Sequence, residues 1–194
     1  MLFILFIPWI LYWIFAGLGH EYSVILSLFA SLIILIPQLL QKKYGVMNSF
    51  SCIFFGIAAL FVYGFHNDIF IKKSLLMGNV ALLVMAVISL LIMQPFSFEV
   101  SKREYPKAFW KVNTFMAINN GVTLSWVFIF FANSLLFALK NSGWTTVAAS
   151  VLLIAAGIAY SKLFPVKYST YLALKEFKQY DWIPEYDLQK KKRD

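Results

Sequence analysis

Six apolar runs follow one another along this chain with short polar breaks between them: Leu2–Leu18, Tyr22–Leu40, Phe50–Phe65, Ser74–Met93, Phe115–Leu139 and Trp144–Phe164. Most approach the ~20 residues that a helix needs to cross a bilayer. The pattern predicts an all-α integral membrane protein built as a six-transmembrane-helix bundle. The first run is short, so five spans preceded by a short hydrophobic helix are the alternative. No Lys or Arg precedes that run, no A-x-A-like site follows Phe15–Gly19, and Trp9, Tyr12 and Trp13 are bulky for a signal core. It is therefore expected to be retained as a first helix.

The breaks carry the topology. With six spans, Lys42, Lys43, Lys102, Arg103, Lys107, Lys111 and the eight basic residues between Lys162 and Arg193 share one face. Only Lys72, Lys73 and Lys140 fall on the other. The positive-inside rule then puts both termini in the cytoplasm. Hydrophobic residues make up 61% of the chain and charged residues 13%, against ~25% charged in ordinary soluble domains. The net charge of +8 lies beside the spans, where anionic lipid headgroups are the nearer partner. No nucleic-acid partner is expected. Cys52 is the only cysteine, which excludes an internal disulfide and a cysteine metal cluster.

The polar breaks also predict local structure. Gly17, Gly19, His20 and Glu21 leave room only for a tight turn between the first two helices. Pro37 falls one turn before the end of the second helix, and Gly45 suits a C-terminal cap there. Asn67 or Asp68 is placed to cap the next helix, and Asp68 stands four residues before Lys72, a favourable helical pair. Residues 96–113 mix Phe98, Tyr105, Phe109 and Trp110 with acidic and basic side chains, as in a segment lying in the membrane interface. Pro106 is expected to divide it. The division of the chain is thus a transmembrane domain over 1–164, with that cytoplasmic loop, and a basic, aromatic-rich cytoplasmic tail over 165–194.

The string Phe65-His66-Asn67-Asp68-x-Phe70-Ile71-Lys72 resembles the bacterial intracellular septation protein A family. Phe6-Ile7-Pro8, Glu21-Tyr22, Pro95, and Phe115 to Asn119 leading on to Asn133, fall in the same order as that family's features. Phe115 stands where the family pattern favours Trp. The resemblance implies a small multi-pass protein of the bacterial inner membrane, linked to cell division and envelope synthesis. It brings no established reaction and no catalytic residues.

Candidate chemistry is sparse. No HExxH, GxSxG or Walker sequence occurs, and no Asp or Glu lies inside an expected span. Coupled transporters usually keep an intramembrane ionisable group. The polar cluster His66, Asn67, Asp68 and Lys72 is the leading candidate site. Asn79, Asn119, Asn120 and Asn133 are candidates for a pocket or, preferably, for helix-to-helix hydrogen bonds. His20, Glu21, His66 and Asp68 are weak metal candidates, because two unlinked pairs give no ligand spacing; no metal and no cofactor is expected.

Two functions are compatible with these features. One is a non-enzymatic inner-membrane protein that supports envelope maintenance and septation through membrane-embedded contacts with division or cell-wall proteins, or with further copies of itself as a homo-oligomer. The alternative is a small transporter or lipid-handling protein with a polar pocket around the fifth helix. A polar cavity joining His66 to Asn119 or Asn133 favours the alternative; a packed bundle with surface grooves favours the first.

Overall fold

Every apolar run becomes helix. The computed structural model describes residues 2–41, 45–104, 106–107, 110, 112–139 and 143–180, and no strand occurs among them. The helices are α1 (Leu2–Gly17), α2 (Tyr22–Leu40), α3 (Val46–Ala59, prolonged by a π-helical turn, Leu60–Gly64), α4 (Ile69–Lys72), α5 (Ser74–Leu91), α6 (Phe96–Glu104), α7 (Asn113–Leu139) and α8 (Trp144–Tyr180). Five helices, Tyr22–Leu40, Val46–Gly64, Ser74–Leu91, Asn113–Leu139 and Trp144–Leu172, are long and apolar enough to cross a membrane. Ile4–Gly17 is shorter.

The bundle hides small polar side chains and shows large apolar ones. Ser23, Ser27, Ser31, Ser51, Ser89, Thr123 and Asn133 are buried, while Ile33 is 70% exposed, Leu91 75% and Leu152 71%. In water such an apolar surface would drive association. Against lipid it is the expected exterior, because helices there pack through small and polar residues.

The short helix α1 is central to the packing. Leu5, Trp9, Tyr12 and Ala16 are almost wholly buried, and α1 packs on α2, α3, α4 and α5. Trp9 stacks on Phe54 at 5.0 Å and meets Phe55 at 5.0 Å. Its indole N–H donates to Ser51 Oγ at 2.9 Å, and the Tyr12 hydroxyl donates to the Phe70 carbonyl. Further contacts run from α2 to α3, from α5 to α7 and from α7 to α8. Beyond Phe164 the chain continues α8 through Pro165 to Tyr180, so no break separates the bundle from the first part of the tail. Residues 181–194, with Lys190 to Arg193, lie outside the described residues.

Turn chemistry fixes the ends. Gly19 has φ +79, and the amides of Gly19 and His20 bond the carbonyls of Ala16 at 2.9 Å and Phe15 at 3.0 Å. This is a Schellman closure with glycine at the left-handed position, and it reverses the chain into α2. The same closure ends α5, where Met93 and Gln94 bond Leu90 and Ser89, but with Met93 at φ 55. Gly45 does not cap α2 as expected. It is extended (φ −113, ψ 131) at the start of α3, and Gln41 ends α2. The α1–α2 turn and the α3–α5 connection lie at one end of the bundle, called here the hairpin end; α6 lies at the other.

Candidate functional site

Polar side chains collect at both ends of the bundle, in two different states. At the α6 end they are joined. Pro95, Phe96 and Ser97 are buried, so the first turn of α6 is inserted into the bundle. The Phe96 amide donates to Ser89 Oγ at 3.2 Å. Ser97 Oγ lies 2.9 Å from the Asn119 carbonyl, 3.1 Å from Asn119 Oδ1 and 3.0 Å from Thr123 Oγ1. Ser101 donates to the same Oδ1 at 2.8 Å, while Asn119 Nδ2 donates back to the Phe115 carbonyl at 2.8 Å.

Glu99 ties α6 to a third helix. Its Oε1 accepts the amides of Val46 and, at 3.3 Å, Met47. A carboxylate there satisfies orphan amides and complements the positive end of the helix dipole. Further out, Lys102 Nζ sits 4.2 Å over the Phe98 ring and 5.3 Å from that of Trp110. This outer part keeps the expected interleaving of bases and aromatics. Helix α6 ends at Glu104, ahead of Pro106, which disfavours helix in the residue before it.

At the hairpin end lies a cleft of about 370 Å³, lined by Ala16, Gly17, Gly19, Glu21, Asp68, Ile71, Lys72, Ser74 and Leu75. It brings together the two acidic residues of that end, 47 positions apart in sequence. Asp68 is paired with Lys72 at 3.5 Å. Among the described residues Glu21 forms no ion pair, and its backbone is held by the Tyr63 hydroxyl, which donates to the Glu21 carbonyl at 2.9 Å.

The remaining candidates separate. Asn67 Oδ1 accepts the Ile69 amide at 3.0 Å, whereas Asp68 makes no side-chain cap. Of the two caps considered, Asn67 is the one formed. His66 is exposed and stands at φ 51, outside the cleft lining. His20 stacks on Tyr22 at 4.8 Å. Among the described residues no group of three or more His, Cys, Asp or Glu is placed to hold a metal ion, so His20, Glu21, His66 and Asp68 do not converge. Asn120 is exposed. Asn119 and Asn133 share the buried stripe of α7. The Asn79 amide nitrogen donates to the Leu75 carbonyl at 2.8 Å, but among the described residues its Oδ1 has no partner, and neither polar atom of Asn133 has one. The cleft lining includes neither Asn119 nor Asn133.

Sequence reasoning missed Ser97 and Ser101, and it placed Glu99 only among the charges of the 96–113 segment. The available signal was Ser97-x-x-x-Ser101, which puts two hydroxyls on one helix face. It also missed the α7–α8 seam, where Trp126 Nε1 donates to Ser161 Oγ at 3.0 Å. No protein-family model matches the chain, and no curated protein or solved structure matches it.

Proposed function

We propose that this chain is a six-span protein of the bacterial inner membrane, with both termini in the cytoplasm. In this reading it supports envelope maintenance and septation without chemistry of its own, through contacts of its helices with other membrane proteins. The observation that carries the proposal is the use of polar side chains as struts. Glu99, Ser97, Ser101, Asn119 and Thr123 fasten α6 to α3 and α7, and Gln38 accepts from Asn48 Nδ2 between α2 and α3 at 2.7 Å. The described cleft stops short of these groups.

Helix α8 supplies the surface for such contacts. It has 37 residues, about 55 Å at 1.5 Å per residue, against ~30 Å of hydrocarbon. Its apolar stretch is the least enclosed of the five, with 11% of it buried inside the bundle. The 14-to-3 division of basic residues supports the orientation, and the resemblance of Phe65–Lys72 supports the envelope role.

Photo-crosslinking in cells tests the proposal. A photoreactive residue at Leu152, exposed on α8, is expected to capture membrane proteins of division or cell-wall synthesis, and truncation after Phe164 is expected to impair septation. Crosslinks to lipid alone, with normal division after removal of the whole protein, would contradict it.

A further inference from the structure

The cleft at the hairpin end has the chemistry of a binding site, and we propose that it takes a zwitterionic group: a primary ammonium beside a phosphate ester, as in an ethanolamine phosphate head. Its volume of about 370 Å³ lies within the ~300–1,000 Å³ of ordinary small-ligand pockets.

Charge decides the class of ligand. Glu21 brings a carboxylate without an ion pair among the described residues, and Asp68 and Lys72 bring one charge of each sign, 3.5 Å apart. That separation exceeds the ~2.7–2.9 Å of a good charge-assisted hydrogen bond. The two side chains therefore have a better state available to them. Lys72 can turn to a phosphate oxygen, which leaves Asp68 and Glu21 both facing an ammonium. Quaternary ammonium groups are recognised by aromatic faces, and the lining holds no aromatic residue. Carboxylates instead favour an ammonium that can donate hydrogen bonds, hence the primary amine.

The walls decide the depth. Ala16, Ile71 and Leu75 give the cleft an apolar side, at the level where α1 ends and α2 and α5 begin. In a bilayer that level is the boundary between hydrocarbon and headgroups. One turn below, Trp13 Nε1 lies 2.4 Å from where a Cβ on Gly78 would stand, so the indole edge fills the gap between α1 and α5. Trp13 Nε1 and Asn79 Oδ1 are buried and make no hydrogen bond among the described residues. Asn79 holds the Leu75 carbonyl of the cleft wall through its other amide atom. Trp13 and Asn79 both lie behind the lining, where they brace the α1–α5 side of the cleft.

The test uses the purified full-length chain in detergent. Soluble phosphoethanolamine and phosphocholine are titrated by calorimetry, and short-chain phosphatidylethanolamine and phosphatidylcholine are compared by native mass spectrometry. At least one ethanolamine form is expected to bind about tenfold more tightly than its choline counterpart, the weight of one charge-assisted contact. Binding of the soluble ester identifies the head as sufficient; binding of the lipid alone identifies a membrane source. Glu21→Gln is expected to remove about a tenfold preference, whereas Lys73→Gln, beside the cleft but outside its lining, leaves it unchanged. Equal affinity for ethanolamine and choline forms overturns the proposal on the unaltered protein, whatever the folding of the variants. So does an ethanolamine preference that survives Glu21→Gln, or no binding by any of the four. The envelope reading stands or falls separately, on crosslinks and division.

Discussion

Gly45 leaves the space that Glu99 occupies. A Cβ on Gly45 would stand 2.4 Å from Glu99 Oε2, and it is this approach that lets the carboxylate reach the amides of Val46 and Met47. Gly45→Ala and Glu99→Ala should each destabilise the protein, by about 1–2 kcal/mol, because both leave helix-start amides without their acceptor. The double variant should cost much less than the two effects added, since they break one contact. Glu99→Gln, which keeps an oxygen acceptor, should cost less than Glu99→Ala. Denaturation in mild detergent measures all four.

Two helices close on side-chain-bearing residues in the left-handed region. Met93 and His66 have φ 55 and φ 51, a conformation that costs a residue with a Cβ about 1 kcal/mol relative to glycine. Met93 is 80% exposed, so Met93→Gly should raise stability by up to that amount. His66→Gly should likewise be tolerated or stabilising, while Asp68→Ala removes the ion pair with Lys72 and should cost little, as exposed pairs do. Thermal shifts that fall for Met93→Gly would show that the Met93 side chain has contacts outweighing its backbone strain.

Asn119 and Asn133 should respond oppositely to the same change. Asn119 joins α7 to Ser97 and Ser101, so Asn119→Leu should destabilise by about 1–2 kcal/mol. Asn133 is fully buried with no hydrogen bond on either amide atom among the described residues, so Asn133→Leu should be neutral or stabilising. Unfolding curves of the two variants, with exposed Asn120→Leu as the reference, check the contrast.

The α7–α8 seam depends on a small residue. A Cβ on Gly157 would come 2.4 Å from Ile129 Cδ1 and 3.3 Å from Trp126 Cη2. Gly157→Leu should push α8 outward and break the 3.0 Å bond from Trp126 to Ser161. A red shift of tryptophan emission, with retained helix content, is the expected signature.

The positions of the long apolar helices were legible in the sequence because an apolar run of that length has few alternatives to a helix. Glycine at 17 and 19 likewise marked the α1–α2 turn, and the spacing of Asp68 and Lys72 gave their pair. What the sequence could not show was which face each helix turns inward. Trp9 and Tyr12 looked like residues of a marginal first helix, yet they lie at the centre, because α5 offers Gly78 beside α1 where a larger side chain would exclude it. Glu99 looked like one charge among many; only the fold brings it against α3, across 53 residues of chain. Glu21 and Asp68 meet for the same reason. Gly45 was misassigned because a glycine between two helices serves either neighbour, and the deciding contact comes from α6.

Helices α1 and α2 are expected to form a spanning hairpin, with α8 ending on the same side as the start of α1. Cysteine accessibility in intact cells tests this directly, in a chain whose single cysteine is removed by Cys52→Ser. A membrane-impermeant maleimide should label Gly19→Cys and Asn67→Cys from outside, and should label Ser169→Cys only after the membrane is opened. Labelling of Gly19→Cys and Ser169→Cys from the same side would contradict the account.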